Sequence, residues 1–270
     1  MQAFHPIGAG FKPLKLQCTM LRRGIAALAA ALLFTAAWSW AQPESAAVPA
    51  AAPDPAQIVQ ALERHDRMQA KALEHYRAVR HYEVEYRGFF KDLRAEMDVE
   101  LEYDAASGKT FRVTAESGSR ALCERVLRRA IDDEREAFQN RDAYALTAAN
   151  YRFQLLGSEV LNGRSSYVFK VEPLSANQFL YRGKIWVDAA DFAVSKLEVQ
   201  PAQNPSLWIS QTLIHHTNSR VGGFWLPQEN ESVTKVRIGG KAVLTIRYGP
   251  YQIPQAQSAQ SADEAEAAVF

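Results

Sequence analysis

The chain has little cysteine, which excludes a disulfide framework. Cys18 and Cys123 are its only cysteines. Cys18 lies before the apolar part of a leader-like segment, so it is not placed as a lipoprotein acylation site. A mature chain would keep Cys123 alone, and a single cysteine cannot form an intramolecular disulfide. The folded protein must therefore be held together by its hydrophobic core, in which we expect Cys123 to be an inert thiol.

The net charge of the chain is small, and recognised catalytic motifs are absent from its sequence. A formal net charge of +1 excludes the basic footprint that is typical of nucleic-acid binding. The sequence contains no G-x-S-x-G, Walker A, G-x-G-x-x-G or H-E-x-x-H motif. His215 and His216 would point to opposite faces of a strand, so they cannot bind one metal ion. Asp188 and Asp191 flank a turn whose backbone they are expected to satisfy. We therefore predict no enzyme activity, no cofactor and no metal.

The one long apolar run lies near the N-terminus. Leu21-Arg22-Arg23 precedes the apolar residues 24–37, and Ser39-Trp40-Ala41 resembles a signal-peptidase site. This layout predicts cleavage between Ala41 and Gln42. The apolar run is shorter than the roughly 20 residues that span a bilayer. An uncleaved membrane anchor is the alternative interpretation.

Composition divides the chain into four segments. Residues 1–41 form the upstream segment and signal peptide, with Met20 as an alternative start. Residues 42–54 are rich in Ala and Pro and are predicted to be a disordered linker. Residues 55–253 are long enough for one mainly β domain. Residues 254–270, with Gln, Ser, Ala and acidic side chains, are predicted to be a disordered tail.

The periodicity of residues 55–253 predicts an α+β, mainly β fold. Asp54 followed by Pro55 is a typical helix start, and apolar residues at helical spacing extend that helix from Ile58 to Val79. Further along, apolar and polar residues alternate in short runs separated by turns that contain glycine, such as Gly222-Gly223. About nine to eleven antiparallel strands with one buried face are expected.

A second helix is predicted from Arg120 to about Asn140, with Ser119 as its cap. Its opposite face is heavily charged, and Asp132-Asp133-Glu134 is interpreted as solvated. Such a helix lies on a surface with its stripe inward. We hypothesise that it forms a movable lid over the open mouth of the sheet. Its apolar stripe, broken at Glu134-Arg135, contains Leu122, Val126, Leu127, Ile131 and Phe138.

Aromatic residues are concentrated in the C-terminal half of the chain. Trp186, Trp208 and Trp225 belong to this group. With two substantial helices available as cover, a curved sheet would keep an apolar interior of the kind that holds acyl chains. These tryptophans are therefore candidates for the wall of a ligand cavity, with ordinary core packing as the alternative.

Three segments of the C-terminal half carry a resemblance to a known family. They are Tyr181-Arg-Gly-Lys-Ile-Trp-Val-Asp-Ala-Ala-Asp-Phe-Ala-Val, Pro201-Ala-Gln-Asn-Pro-Ser-Leu-Trp208 and Gly223-Phe-Trp-Leu-Pro-Gln-Glu-Asn230. These segments resemble the LolA-like outer-membrane lipoprotein-sorting proteins of the LolA/LolB/RseB superfamily. The resemblance covers about residues 55–253 and implies an unclosed, curved antiparallel half-barrel with helices over its concave side. Arg112 is a loose candidate for the functional arginine of that family.

The resemblance implies a periplasmic protein that buries acyl chains and takes part in outer-membrane lipoprotein sorting. Its partners would be lipid acyl chains or lipoproteins, together with an inner- or outer-membrane protein. The alternative is an envelope sensor or adaptor of the RseB type. A hydrolase is the weakest hypothesis, because no nucleophile–base pair can be assembled from the sequence.

Overall fold

The computed structural model describes residues 54–177, 179–203, 209–237 and 239–254. The predicted signal peptide and its Ala41–Gln42 cleavage site lie outside the described residues. So do Trp208, nearly all of the predicted linker and nearly all of the predicted tail. Among the described residues, no helix combines the length and the apolar character needed to cross a membrane.

Ten strands in the described residues form one antiparallel sheet. The strands are β1 (His75–Arg87), β2 (Asp92–Asp104), β3 (Gly108–Gly118), β4 (Tyr151–Leu161), β5 (Arg164–Pro173), β6 (Tyr181–Asp188), β7 (Val194–Pro201), β8 (Ile209–Val221), β9 (Phe224–Val236) and β10 (Gly240–Gln252). Their order in the sheet is β3-β2-β1-β10-β9-β8-β7-β6-β5-β4, and the two outer strands, β3 and β4, are not paired with each other. The sheet is therefore unclosed. The predicted fold class, mainly β with an unclosed antiparallel sheet and a few helices, is confirmed.

Helix α1 (Pro55–Ala72) begins as its sequence predicts. The Asp54 side chain accepts a hydrogen bond from the backbone N–H of Ala56, and proline follows the cap directly. The helix ends earlier than its apolar spacing predicted. Tyr76 and Val79 belong to β1, where Tyr76 is buried and Val79 is exposed. Strand alternation therefore replaces helical spacing as soon as β1 begins.

The predicted second helix is present in three consecutive parts. Helix α2 (Arg120–Leu122) leads through a π-helical turn (Cys123–Leu127) into α3 (Arg128–Gln139), and the short α4 (Arg141–Tyr144) follows. We call residues 120–139 the covering helix. Ser119 occupies its N-cap position but makes no capping hydrogen bond with its side chain. A π turn is a local irregularity that is frequent at functional sites.

Both helices pack on the same face of the sheet. Helix α1 contributes to a core that includes Ile214 of β8, whereas the covering helix packs against Val84 of β1 and Leu244 of β10. Strand register places Val84, Leu244, Ser232 and Ile214 opposite one another in turn. Residues directly opposite on paired strands share a face. The helices therefore cover two halves of one face, and β9 runs between them.

Candidate ligand cavity

A cavity of about 310 Å³ lies between the covering helix and the middle of the sheet. Its volume is close to the lower end of the ~300–1,000 Å³ that is usual for ligand pockets. The wall is mainly apolar. The sheet contributes Val84, Ala242, Leu244 and Ile246, and the covering helix contributes Leu122, Val126 and Ala130.

Polar groups are also present in the wall of this cavity. Asn230, Ser232 and Thr234 follow one another along β9 on its inner face, and Asp133 projects from the covering helix. The Asn230 side chain is buried, and its Oδ1 atom has no hydrogen-bond partner. An unsatisfied buried acceptor costs free energy. The cavity therefore combines an apolar wall with an oxygen that could accept a hydrogen bond from an occupant.

A buried ionic cluster joins the covering helix to the sheet. Arg80 Nη1 and Nη2 donate to the two Glu134 carboxylate oxygens at 2.5 and 3.1 Å. Lys109 Nζ donates to the same carboxylate at 2.6 Å. The side chains of Arg80 and Lys109 are each 1% exposed. The Arg80 guanidinium also lies 4.8 Å from the ring centre of Tyr248 and 5.4 Å from that of Phe111.

The charges in this cluster hold one another in the ionised form. Burial would raise the pKa of Glu134, but Arg80 and then Lys109 outweigh it and hold that pKa at about 2. Burial would likewise lower the pKa of Arg80, but Glu134 raises it above its ordinary value. Burial lowers the pKa of Lys109, against the opposing effect of Glu134. Glu134 therefore stays ionised at neutral and mildly acidic pH.

The pKa of Asp133, the neighbour of Glu134, shifts in the opposite direction, because burial outweighs its ion pair. Asp133 is 7% exposed, and burial raises its pKa from 3.8 to about 6 although Arg129 opposes the change. Its carboxylate lies 2.8 Å from Arg129. The interpretation of Asp132-Asp133-Glu134 as a solvated face is therefore wrong for Asp133 and Glu134, which turn toward the protein.

The raised pKa of Asp133 predicts a specific pH dependence of the free energy of unfolding. Because its folded-state pKa is raised, the folded protein binds more protons than the unfolded chain between about pH 4 and 6. Protonated Asp133 therefore stabilises the folded protein at low pH, and this stabilisation is lost as the pH rises to about 6. Asp133→Asn should therefore raise the free energy of unfolding at neutral pH by about 1–3 kcal/mol. It should also flatten the dependence over that interval. Denaturant titrations at several pH values measure both effects, and an unchanged pH profile would contradict the assignment.

The apolar residues predicted for the lid have three different environments. Leu122 and Val126 line the cavity. Leu127 and Ile131 are buried in the core between the covering helix, β1 and β2. Phe138 lies beside the β2–β3 turn, where its ring is 6.0 Å from that of Tyr103 and in close contact with Gly108. The stripe therefore fixes the helix to the sheet along most of its length and borders the cavity at its N-terminal part.

Of the predicted tryptophans, the structure describes Trp186 and Trp225, and neither lines the main cavity. Trp186 faces the opposite side of the sheet from its neighbours Ile185 and Val187, which lie in the core under α1. Its ring is 4.5 Å from Lys196 Nζ, and its indole N–H donates to Glu159. Including Trp186 among cavity residues is therefore corrected, because strand alternation places it on the other face.

Trp225 borders a second, smaller cavity of about 70 Å³ next to α1. Its backbone N–H donates to Gln69 of α1 at 2.8 Å, and its indole N–H donates to Asp191 at 2.9 Å. The hydrogen bonds therefore attach the start of β9 to helix α1.

Arg112 is an exposed residue on β3 and is paired with Glu100 of β2. It faces away from the cavity, because the adjacent Phe111 and Val113 pack toward the covering helix. The prediction that Arg112 is a cavity residue is therefore corrected, because strand alternation places it on the other face of the sheet, as it does Trp186. The buried arginine on the cavity side is Arg80.

A sequence signal for this buried cluster was present but missed. Arg80 occupies an inward position in the alternation of Tyr76, Ala78, Tyr82 and Val84 along β1. Glu134 stands where the apolar stripe of the covering helix is interrupted. An arginine and a glutamate at inward positions of two elements predict a buried ion pair, since a buried charge requires a partner.

His216, Cys123 and Asp188 have structural roles. Burial lowers the pKa of His216 to about 4, so this side chain is neutral at physiological pH. Burial raises the pKa of the Cys123 thiol, which makes it less reactive. Asp188 accepts hydrogen bonds from the backbone N–H groups of Ala190 and Asp191. Within the described part of the chain, no group of three or more His, Cys, Asp and Glu residues is arranged to hold a metal ion.

Comparisons with known proteins find remote similarity to solved structures. No protein-family model and no curated protein sequence matches the chain. The chain is similar to a LolA superfamily protein from Nitrosomonas europaea, with 12% identity over 72% of this chain and 93% of that one and a TM-score of 0.35.

Two further solved structures show the same level of similarity. A DUF1329 family protein from Desulfovibrio piger is 10% identical over 74% of this chain and 92% of that one, with a TM-score of 0.38. The Mycobacterium tuberculosis lipoprotein LppX is 9% identical over 74% and 98%, with a TM-score of 0.30. Similarity at this level says nothing about the cavity or its occupant.

Proposed function

We propose that this protein is a non-enzymatic, periplasmic carrier that binds the acyl chains of lipids or lipoproteins in the cavity beneath the covering helix. The observation that carries the proposal is a mainly apolar cavity of about 310 Å³. Its roof is the covering helix, which apolar packing and the buried ionic cluster attach to the sheet. Residues 55–253 would act as the carrier domain, after export and cleavage that N-terminal sequencing would detect as a chain beginning at Gln42.

The apolar wall would supply most of the binding free energy. Each buried methylene contributes about 0.8 kcal/mol, so about ten methylenes contribute ~8 kcal/mol. This free energy corresponds to a dissociation constant on the order of micromolar before the costs of ordering the ligand. An acyl chain of moderate length, or part of a longer one, would therefore bind reversibly, which is what a carrier requires.

The covering helix would control entry to the cavity. Leu122, Val126 and Ala130 form the apolar part of its inner surface that borders the cavity, whereas Leu127 and Ile131 anchor it to the core. The π turn, residues 123–127, lies within this part of the helix. We propose that the N-terminal part of the helix moves away from β10 to admit a ligand while α3 stays attached through Glu134.

Fatty-acid binding tests this function directly. Delipidated protein should bind a fluorescent long-chain fatty acid saturably, and an unlabelled fatty acid should displace it. Native mass spectrometry of protein purified from its own envelope should then show a bound lipid mass. A delipidated, folded protein that shows no saturable binding would refute the carrier function.

A further inference from the structure

The turn between β1 and β2 exposes two adjacent large aromatic side chains. Phe89 is 79% exposed and Phe90 is completely exposed, between Gly88 and Lys91 at the tip of the hairpin. A single exposed apolar residue is ordinary, but two phenylalanines together at a projecting tip form an unusual apolar patch. Nothing in the core requires these side chains, so their position suggests contact with another apolar phase.

Basic residues surround the base of this tip. Arg87, Lys241 and Lys235 are exposed and lie directly opposite one another on β1, β10 and β9. Lys91 and Arg237 are exposed at the same end. The acidic residues here are Asp92 and Glu85, and Glu85 lies 3.5 Å from Arg87. Basic side chains therefore outnumber acidic ones.

The arrangement of these cations is unfavourable for the isolated sheet. Like charges directly opposite on paired strands destabilise a sheet. Elsewhere in the sheet, Lys184 lies opposite Lys170, but it also faces Glu198, and Lys170 pairs with Glu172 at 3.2 Å. In the row formed by Arg87, Lys241 and Lys235, the central Lys241 faces a cation on both neighbouring strands. The outer two also face Asp92 of β2 and Gln211 of β8, respectively. A surface of negative charge would turn this repulsion into attraction.

The cavity reaches the same end of the sheet. Tyr86, Ile209 and Val236 belong to its wall and lie at the ends of β1, β8 and β9 that adjoin the basic row. The Tyr86 hydroxyl donates to the carbonyl oxygen of Gly239 in the β9–β10 turn. Tyr86 thus lines the cavity and joins the end of β1 to the β9–β10 turn.

We propose that this end of the sheet docks on an anionic phospholipid surface. Phe89 and Phe90 would insert at the headgroup level, where amphipathic and aromatic groups are favoured. Arg87, Lys235 and Lys241 would contact the lipid phosphates, each raising the affinity about fivefold near such a surface. The docking proposal depends only on these exposed residues. The further idea that docking passes acyl chains to the cavity rests on the function proposed above.

Vesicle co-sedimentation with the full protein tests this proposal. The probes are vesicles of phosphatidylcholine with and without phosphatidylglycerol. The double variant Phe89→Ser/Phe90→Ser should bind the mixed vesicles at least about tenfold more weakly than the wild type. Val160→Ser removes another apolar side chain, 71% exposed, near the end of β4, and should bind like the wild type.

A charge-matched pair separates the basic row from net charge. Lys235→Gln/Lys241→Gln should weaken binding to the mixed vesicles about tenfold or more and leave the weak binding to phosphatidylcholine unchanged. Lys170→Gln/Lys184→Gln removes the same charge from another part of the sheet and should have a much smaller effect. Equal losses in both pairs, or no vesicle binding by the wild type, would overturn the proposal. The latter result would leave a protein partner as the occupant of the tip.

The same variants distinguish docking from ligand binding. Phe89→Ser/Phe90→Ser should bind a soluble fluorescent fatty acid with wild-type affinity, because neither phenylalanine lines the cavity. Vesicle binding without fatty-acid binding would refute the carrier function and leave docking intact. Fatty-acid binding without vesicle binding would refute docking alone.

Discussion

Glu134→Gln should lower the free energy of unfolding by about 3–5 kcal/mol, the usual effect of removing one partner from a buried ion pair. Glutamine nearly preserves the shape of glutamate but leaves Arg80 and Lys109, both 1% exposed, without a carboxylate. Equilibrium unfolding in denaturant measures the loss. Amide hydrogen exchange should also accelerate more in the covering helix than in the central strands, because the variant removes a link between helix and sheet.

Asp132→Asn is the matched control for this prediction. It makes the same chemical change on the same helix, but Asp132 is exposed and paired with Arg135 at the surface. Such a pair contributes between about 0 and 1 kcal/mol. A second control replaces the whole cluster with Arg80→Met, Lys109→Met and Glu134→Leu, which should recover most of the lost stability. If Glu134→Gln is as stable as Asp132→Asn, the ionic cluster does not hold the helix.

The cluster should lose its effect only in strong acid. The pKa of Glu134 is held at about 2 in the folded state, below its ordinary value of 4.5. Its stabilising contribution is therefore present above about pH 4.5 and is lost as the pH falls toward 2. The stabilising contribution of Asp133 is instead present at low pH and is lost as the pH rises from about 4 to 6. The helix should consequently be held most firmly in mildly acidic solution.

Ala242→Trp should abolish most fatty-acid binding while leaving the fold intact. Ala242 lines the cavity from β10, and an indole there would occupy the space that the proposed acyl chain needs. We expect affinity to fall at least about tenfold, which corresponds to ~1.4 kcal/mol, the contribution of about two methylenes. Displacement of a fluorescent fatty acid measures the change.

Val243→Trp is the control, because the neighbouring residue on the same strand points to the other face. It introduces the same side chain into the same strand without entering the cavity and should bind like the wild type. Circular dichroism should show both variants folded. Wild-type affinity in a folded Ala242→Trp protein would place the acyl chain elsewhere and contradict the proposed cavity.

Much of the fold could be predicted because its signals are local. The Asp54-Pro55 start of α1 depends on neighbouring backbone groups. The β4–β5 turn depends on Asn162 and Gly163, whose φ angles of 50° and 78° suit a two-residue hairpin. The end of α1 was misplaced for a related reason. Between Ala72 and Val79 the apolar spacing is compatible with a helix, and only pairing of β1 with β2 and β10 resolves it.

The candidate site could be predicted only in part. The stripe of the second helix was identified, yet its division between core and cavity depends on the position of the π turn over the sheet. Trp186 was placed on the wrong face, because its neighbours Ile185, Val187 and Asp188 are also buried and hide the alternation. Arg80 and Glu134 were missed because Glu134 was interpreted as solvated and the inward position of Arg80 in the alternation of β1 was not considered.

The sequence by itself determined the strand and turn pattern, the two helices and the absence of recognised catalytic motifs, since each follows from residue type and short-range spacing. Only the tertiary structure decided that β1 pairs with β10 and that both helices lie on one face. It also decided that Arg80, Lys109 and Glu134 meet beside the cavity. These contacts join residues far apart in the chain. They form because closing such long loops is offset by burying the apolar faces of the whole sheet together, which no short segment encodes.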